Sequence, residues 1–372
     1  MIIKKISCDG FKNLKGISFE PDENLNVIWG DNAQGKTNLL EAIWLCSGVS
    51  SFRGTKDRGL IAFDRDKCNI SVDFQNIQRV QNISVEIFSE NLKKKNITKN
   101  GVKLPFMSKL FGEMVCVIFT PEDLFLASGS PDVRRRFIDL SISQVSVSYA
   151  RVVSAYERVI NQRNSLLKEI AFSNGDKNLL ITYDEQLATY GAYMSYRRKM
   201  YCDALQLVAS DLYKDISDGK EIFSLYYKST IFKQNEYQDP EKAMKEQYFE
   251  ALRKNEADDI RLGFTTVGAH RDDIELKIND LSVKEFGSQG QKRSSALVLK
   301  LAAAYIYYNQ TNEAPIILLD DILSELDLKR QAFVLNKIKN MQVFITCCNK
   351  QEVGLIEKGL AINIDDGKIV RG

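Results

Sequence analysis

The stretch Gly30-Asp31-Asn32-Ala33-Gln34-Gly35-Lys36-Thr37 decides the fold of this chain. It follows the apolar run 25–29 and leads directly into the helical pattern of residues 38–45. A loop with glycine at both ends can turn its backbone N–H groups around a phosphate, and the following helix N-terminus adds the positive end of its dipole. The stretch therefore predicts a P-loop that binds a nucleoside triphosphate.

The side chains of this loop have separate expected roles. Lys36 would reach the β- and γ-phosphates and assist catalysis, while Thr37 would place its hydroxyl on Mg²⁺. A glycine-rich turn that matches by chance is the alternative, and the strand and helix on either side argue against it. The residues expected to contact the nucleotide are Gly30, Asp31, Asn32, Ala33, Gln34, Gly35, Lys36, Thr37 and Asn38.

An earlier turn could add to this site. Lys12 and Asn13 lie between two predicted strands shortly before the P-loop, and they could touch phosphates or ribose. The alternative is an ordinary exposed lysine in a surface turn.

Two carboxylates end a predicted buried strand, 315–319, later in the chain. Asp320, at the strand end, can hold the Mg²⁺ shell, and Asp321 can orient or deprotonate the attacking water. Paired acids at such a position could instead be helix caps. Their occurrence after a P-loop favours the catalytic interpretation.

Composition sets wide limits on function. The 372 residues, 44% of them hydrophobic, can bury a large core, and this length predicts a division into two domains. The formal net charge of +2 means that any nucleic-acid surface must be a local patch. Seven cysteines without C-x-x-C spacing predict buried, reduced thiols in a cytosolic protein. The start is too short and polar for a signal segment and no apolar run reaches membrane-spanning length, so we expect a cytoplasmic protein with no membrane partner.

The pattern along the chain predicts an α/β fold with parallel and antiparallel sheets. Residues 69–74 and 83–88 alternate as in an antiparallel meander, while 115–119 is a continuous apolar strand. Lysines around a hairpin turn at Asn100-Gly101 could grip DNA or simply guard a solvated sheet edge. These lysines are Lys93, Lys94, Lys95, Lys99 and Lys103.

The middle of the chain is expected to be a mainly helical arm, 120–259, between two parts of an ATPase head, 1–119 and 260–372. One long helix is predicted after Pro131 and a second from about 177 to 212, forming an antiparallel pair. Two basic runs on these helices could bind DNA phosphates or form ion pairs with acids such as Asp132 and Asp139. They are Arg134, Arg135, Arg136, Arg197, Arg198 and Lys199.

A second anion site is predicted where the stretch 286–293 opens a long apolar helix. The order of P-loop, this stretch, acidic strand and Ser324-Glu325-Leu326-Asp327 resembles that of the ABC-type ATPases. In those proteins a nucleotide is sandwiched between the P-loop of one subunit and the signature serine of another. The resemblance implies that Ser288, Gly290 and Gln291 form the signature and that Asp327 belongs to the D-loop.

Several positions depart from the usual ABC pattern. Gly287 and Gln289 replace the usual leucine and first glycine of the signature, and Asp321 stands where most members carry glutamate. Cys347 falls where the switch histidine is expected. A shorter carboxylate and a missing imidazole imply slow turnover, with ATP acting as a clamp signal.

Within that superfamily the chain resembles the RecF family, which is related to SMC proteins. The resemblance implies an ABC-type ATPase head with a mainly helical second lobe that forms a short arm. It also implies ATP-dependent homodimerisation, binding of double-stranded DNA, gapped or at junctions, and weak DNA-stimulated ATPase activity. The implied partners are RecR and RecO, with loading of RecA at single-strand gaps in repair and replication restart. The matching stretches are 119–124, 129–139, 268–273, 288–291 and 319–327.

Spacing separates this interpretation from its alternatives. Ser288 lies 252 positions after Lys36, more than a transporter ATPase needs for its helical insert. No long heptad array fills the interval as a cohesin-like arm would require. A transporter's energising subunit and a small-molecule P-loop kinase are the alternatives. His270, the single histidine, is interpreted as part of a structural turn or, with Arg271, as a sensor of nucleotide or DNA.

Overall fold

The computed structural model describes residues 1–90, 95–172, 175–233, 237, 239–348 and 359–370. The strands are β1 (Ile2–Asp9), β2 (Ile17–Phe19), β3 (Leu25–Trp29), β4 (Lys67–Gln75), β5 (Val80–Phe88), β6 (Lys95–Lys99), β7 (Val102–Leu104), β8 (Cys116–Phe119), β9 (Phe223–Lys228), β10 (Asp273–Ile278), β11 (Leu281–Ser282), β12 (Ile316–Leu319), β13 (Val343–Cys347), β14 (Leu360–Asp365) and β15 (Lys368–Val370). The helices are α1 (Lys36–Leu45), α2 (Phe125–Ser128), α3 (Pro131–Val145), α4 (Val147–Ala171), α5 (Leu180–Ile216), α6 (Ala243–Lys254), α7 (Glu256–Leu262), α8 (Val283–Phe286), α9 (Gln289–Thr311) and α10 (Leu328–Ile338).

The chain divides into two compact units. The first comprises Met1–Asp123 and Leu297–Gly372, and the second is Leu124–Ala296. The division at 296/297 falls within α9, whereas the sequence predicts the second boundary at 259/260. Strand β10 belongs to the second unit because it pairs antiparallel with both β9 and β11.

The first unit contains two six-stranded sheets, as the predicted mixture of parallel and antiparallel strands requires. One sheet has the order β2-β1-β4-β5-β6-β7 and is antiparallel throughout. The other has the order β15-β14-β3-β13-β12-β8 and is parallel except for the β14–β15 hairpin. Strands β8, β12 and β13 are buried along their whole length, which explains their continuous apolar sequences.

The antiparallel sheet follows from alternation in the sequence. In β4 and β5 every second side chain is buried, so each strand presents one apolar face to the core. The predicted hairpin at Asn100–Gly101 is confirmed, with φ of 52° and 77° at its two turn residues. Lys95 pairs with Asp57 at 2.8 Å and Lys99 pairs with Glu113, which supports the solvated-edge interpretation, while Lys93 and Lys94 lie outside the described residues.

The second unit is mainly helical, with the small sheet β11-β10-β9. The end of α4 packs on the start of α5 through Leu166, Leu167 and Leu180, which confirms the predicted antiparallel pair. The single long helix predicted after Pro131 is wrong, because Ser146 is extended and its hydroxyl accepts the Tyr149 N–H at 3.4 Å, so that it starts a new helix. Among the described residues, every helix is too short or too polar to cross a membrane.

Candidate nucleotide-binding site

The predicted P-loop connects β3 to α1 in the first unit. Gly30 has φ of 148°, and a Cβ there would lie 2.3 Å from the main-chain oxygen of Ile364 on β14. Gly35 has φ of 117°, and a Cβ there would lie 2.9 Å from the side-chain oxygen of Asn13. Both ends of the loop therefore require glycine, for backbone conformation and for space. Asp31, Asn32 and Ala33 are exposed at the loop's tip.

Lys36 lies inside this loop. Its side chain is largely buried, and its ammonium donates to the main-chain oxygens of Gly30 at 2.6 Å and Asp31 at 2.8 Å. Cys348, which no sequence motif indicates, lies beside it, with its thiol 3.7 Å from the Lys36 ammonium and 3.0 Å from the Asn32 side-chain oxygen. The ammonium is thus positioned within the loop that would receive the phosphates.

The predicted metal ligands Thr37 and Asp320 are in direct contact. The Thr37 hydroxyl donates to Asp320 Oδ1 at 2.8 Å, and the Thr346 hydroxyl donates to the same atom at 3.1 Å. Burial raises the pKa of the Asp320 carboxyl, and the two hydroxyls oppose that shift. A threonine hydroxyl beside one carboxylate fits Mg²⁺, which uses few protein ligands and completes its shell with phosphate oxygens and water. The described residues contain no cluster of three or more His, Cys, Asp or Glu side chains that could hold a metal ion by themselves.

Asp321 is held in a left-handed backbone conformation, with φ of 50°. Its N–H donates to the Thr346 hydroxyl at 2.8 Å, and the Ser324 hydroxyl donates to its main-chain oxygen at 2.8 Å. Thr346 therefore holds both acids in place. It was not predicted, although a threonine at the end of a buried parallel strand next to Asp320 is a readable signal.

The turn that carries Lys12 and Asn13 is hydrogen-bonded to the P-loop and to α1. Asn13 donates to the main-chain oxygen of Ala33 at 3.1 Å and accepts from the side chain of Asn38 at 2.7 Å. The Lys12 ammonium pairs with the fully buried carboxylate of Glu41 on α1, and a contact between Lys12 and nucleotide stays a prediction. A buried carboxylate needs a charged partner, and Lys12 supplies it.

Asn38 and Asp327, two further predicted contacts, have local roles in the structure. The Asn38 side-chain oxygen accepts from Arg53 at 3.3 Å, which ties the segment after α1 to the P-loop helix. Asp327 is the N-cap of α10 and accepts the N–H of Arg330 at 2.9 Å. That hydrogen bond, together with the Arg330 guanidinium, lowers the pKa of the Asp327 carboxyl.

The signature stretch lies in the second unit, at the start of α9. Ser288 and Gln291 form a capping box, in which the Gln291 N–H donates to the Ser288 hydroxyl at 3.2 Å and the Ser288 N–H donates to the Gln291 side chain at 2.8 Å. The Gln291 amide also donates to Glu221 at 2.7 Å. Ser288 is exposed at the helix N-terminus, with Gly290 half-buried in the first turn. An exposed hydroxyl at this position is placed to meet an anion.

Two of the six predicted DNA contacts are wrong. Arg134 is 4% exposed and binds Asp273 with two hydrogen bonds, of 2.7 and 2.9 Å. Arg198 is 3% exposed and binds Asp139 in the same way, at 2.8 and 2.7 Å. Both guanidinium groups are buried in ion pairs with carboxylates, so neither is available to a phosphate.

The other four predicted DNA contacts differ in their accessibility. Arg135 donates to the main-chain oxygen of Asp272 at 2.5 Å, Arg197 donates to the Tyr193 hydroxyl at 2.7 Å, and Lys199 pairs with Asp203 at 2.6 Å. The most accessible of the four is Arg136, which is exposed on α3. A DNA contact at these four residues stays a prediction.

Comparison with known proteins supplies the family. The model of the RecF/RecN/SMC N terminal domain matches residues 2–370. The DNA replication and repair protein RecF of Clostridium beijerinckii is 36% identical over 372 residues, covering 100% of this chain and 98% of that protein. The chain belongs to the RecF family. Its relative from Clostridium acetobutylicum is also 36% identical, over 99% of each chain.

Solved structures agree with this membership. Two structures of the recombination mediator protein RecF in the RecFOR pathway, described as RecF-ATPrS and RecF-ATP, match with TM-scores of 0.92 and 0.91 at 34% and 35% identity. Each covers 99% of this chain and is covered to 97% of its own length. An SMC head bound to the C-winged helix domain of ScpA matches at 16% identity with a TM-score of 0.57, which concerns the fold alone. The predicted fold class, an ABC-type ATPase head with a mainly helical lobe, is confirmed.

Proposed function

We propose that this member of the RecF family is an ATP-dependent DNA-binding recombination mediator. ATP would join two copies of the chain, and the dimer would bind double-stranded DNA and help to load RecA at single-strand gaps. The observation that carries the proposal is the joint placement of Lys36 inside the loop and of Thr37 against Asp320 at 2.8 Å. The names of the similar proteins, which refer to replication, repair, recombination and ATP, point in the same direction.

The nucleotide would be held by the N–H groups of the P-loop and by Lys36, with Thr37 and Asp320 on Mg²⁺. Bound Mg²⁺ would neutralise charge on the β- and γ-phosphate oxygens. Asp321 would orient the attacking water or accept its proton. Because its side chain is one methylene shorter than the usual glutamate, and because Cys347 supplies no imidazole, we propose slow hydrolysis and a role for ATP as a dimerisation switch.

The second copy would close the site from the other side. Ser288, with Gly290 and Gln291, would meet the γ-phosphate bound by the partner, and Asp327 would lie at the same interface. RecR and RecO are the proposed partners in the pathway, gapped or junction DNA is the proposed substrate, and the cytoplasm is the proposed setting. These assignments rest on family membership and on the exposed position of Ser288.

Sedimentation with and without Mg-ATP tests the switch. We expect the wild-type chain to change from monomer to dimer on ATP addition, and Lys36→Ala to stay monomeric because the phosphates lose their ammonium partner. Lys5→Ala, at an exposed lysine on β1, is the control and should dimerise normally. ATP-dependent dimers of Lys36→Ala would contradict the role given to that residue.

Fluorescence anisotropy with labelled duplex and gapped DNA tests the ligand. We expect ATP to tighten DNA binding, and the logarithm of the affinity to fall linearly with the logarithm of salt concentration, because phosphate contacts release counterions. An affinity that does not depend on ATP or on salt would count against a DNA clamp.

A further inference from the structure

The C-terminal hairpin, formed by β14 and β15, contacts the P-loop although the two are more than 300 positions apart in the sequence. Strand β14 pairs parallel to β3 up to Asn363 and Trp29, and the next residue, Ile364, lies against Gly30. The hairpin then turns at Asp366 and Gly367 before β15. Its turn residues have φ of 44° and 73°. The turn therefore lies next to the P-loop in the first unit.

Both carbonyl groups of Gln34 are bound by this turn. The Asp366 N–H donates to the Gln34 side-chain oxygen at 2.6 Å, and the Gly367 N–H donates to its main-chain oxygen at 3.1 Å. In a planar trans peptide the N–H points away from the C=O. Fixing the Gln34 oxygen on the hairpin thus turns the following N–H, that of Gly35, away from the hairpin, as phosphate binding by a P-loop requires.

The turn is also packed against the residues that support the loop. A Cβ at Gly367 would lie 1.8 Å from the main-chain oxygen of Asn13, whose side chain holds Ala33. The Lys15 N–H donates to the Gly367 oxygen at 2.8 Å, and the Lys15 ammonium pairs with Asp366 at 2.8 Å. The hairpin turn, the 12–15 turn and the P-loop are therefore held together by direct contacts.

We propose that the Asp366–Gly367 turn is a positioning element for the nucleotide, which orients the P-loop peptides through Gln34 and Asn13. This inference rests on the proposed function insofar as ATP is the ligand of the loop. The turn does not touch the reacting atoms, so it acts on the affinity for ATP and leaves the chemical step unchanged. A substitution in the Asp366–Gly367 turn would then change the affinity of the P-loop for the phosphates of ATP.

The chain offers a matched control for this idea. The Asn100–Gly101 turn is a two-residue turn in the same unit, with φ of 52° and 77°, and a Cβ at Gly101 would meet no atom within 4 Å. Alanine at Gly367 or at Gly101 incurs the same left-handed backbone strain. Only Gly367→Ala also collides with Asn13.

Calorimetric titration with ATP and steady-state ATPase assays test the proposal. We expect Gly367→Ala to bind ATP at least about tenfold more weakly than Gly101→Ala, with KM raised and kcat within about twofold of it. Gln34→Met, which keeps the length of a half-exposed side chain but removes the acceptor, should weaken ATP binding about threefold to tenfold. If Gly367→Ala does not fold, Gln34→Met alone tests the positioning role.

The outcomes separate this inference from the function on which it rests. If the wild-type chain does not bind ATP, the proposed function fails. If the wild-type chain binds ATP, the positioning role is overturned by equal ATP affinity in Gly367→Ala and Gly101→Ala, by wild-type affinity in Gln34→Met, or by a loss confined to kcat.

Discussion

At the scale of single residues, two hydroxyl groups hold the carboxylate of Asp320, the proposed Mg²⁺ ligand. Thr37 and Thr346 both donate to Asp320 Oδ1, from α1 and from β13. Their hydrogen bonds favour the charged carboxylate while burial disfavours it. Burial of this carboxylate is costly, and the proposed binding of Mg²⁺ would offset that cost.

Removing the Thr37 hydroxyl should uncouple Mg²⁺ from ATP. We expect Thr37→Ala to lower ATP affinity at least about tenfold in Mg²⁺ and to leave it within about twofold of wild type in EDTA, because only the metal contact is lost. Thr37→Ser keeps the hydroxyl and should bind nearly as wild type. Calorimetric titration in both buffers measures this, and an equal loss in EDTA would show that Thr37 acts on the nucleotide without the metal.

His270 is a partly buried side chain in the second unit. Its Nε2 donates to the main-chain oxygen of Thr265 at 3.0 Å, so its Nδ1 accepts from the Tyr156 hydroxyl at 2.7 Å. Burial, reinforced by nearby arginine charges, lowers its pKa to about 4 from the usual 6.5. These contacts favour the structural interpretation of this histidine over a sensory one.

The depressed pKa of His270 predicts a loss of stability in acid. Between pH 6.5 and about 4 the unfolded chain takes up a proton that the folded chain refuses, so the free energy of unfolding falls as pH falls through that window. We expect wild type to lose about 2 kcal/mol more than His270→Gln between pH 7 and pH 5 in urea unfolding. The single imidazole NMR signal should titrate at about pH 4. A midpoint near the usual 6.5 would contradict the burial of this ring.

At the scale of secondary-structure elements, one buried arginine joins three helices of the second unit. Arg163 on α4 donates to Asp184 on α5 at 2.7 Å and to Asp259 on α7 at 2.7 Å, and all three side chains are fully buried. Burial raises the pKa of the Asp184 carboxyl, and the Arg163 charge opposes that shift. The helices are thus fixed by a charge cluster as well as by apolar packing.

Breaking this cluster should be costly. We expect Arg163→Ala to lower the free energy of unfolding by about 3–5 kcal/mol, because it leaves two buried carboxylates without their cation. Arg158→Ala, at an exposed arginine on the same helix, should change it by less than about 0.5 kcal/mol. Urea unfolding followed by circular dichroism compares the two, and equal effects would mean that the cluster adds no stability.

The elements show what sequence patterns can and cannot predict. The meander, the buried parallel strands and the helical pair follow from local periodicity. The break between α3 and α4 does not, because Ser146 carries no proline or glycine signal and acts only through its hydroxyl. The burial of Arg134 was equally hidden, since its partner Asp273 lies 139 positions away.

The candidate site shows the same division. The P-loop, Thr37 and Asp320 are predictable because each lies in a short contiguous motif that follows an apolar strand. The pairing of Lys12 with Glu41, the Cys348 contact and the Gln34 contact with the C-terminal hairpin are not, because each joins segments that only the fold brings together.

At the scale of the whole molecule, the proposed switch depends on two copies sharing one nucleotide. Each copy would contribute the P-loop and acids to one site and the Ser288 capping box to the other, so that an isologous dimer holds two nucleotides. The hydroxyl of Ser288 already bonds to the Gln291 N–H, at 3.2 Å. A phosphate would meet it as part of a preformed helix N-terminus.

Ser288→Ala should therefore separate nucleotide binding from dimerisation. We expect its monomer to bind ATP within about twofold of wild type, while ATP-dependent dimerisation weakens at least about tenfold, because a hydrogen bond to a charged phosphate is lost at each of two sites. Ser288→Ala also removes a helix cap, which costs about 1 kcal/mol. Ser282→Ala is the control for this cost, because the Ser282 hydroxyl caps α8 in the same unit and accepts the Glu285 N–H at 3.4 Å. Sedimentation across ATP concentrations measures both variants. If Ser282→Ala weakens the dimer as much as Ser288→Ala does, the effect comes from helix capping and the signature role of Ser288 is wrong.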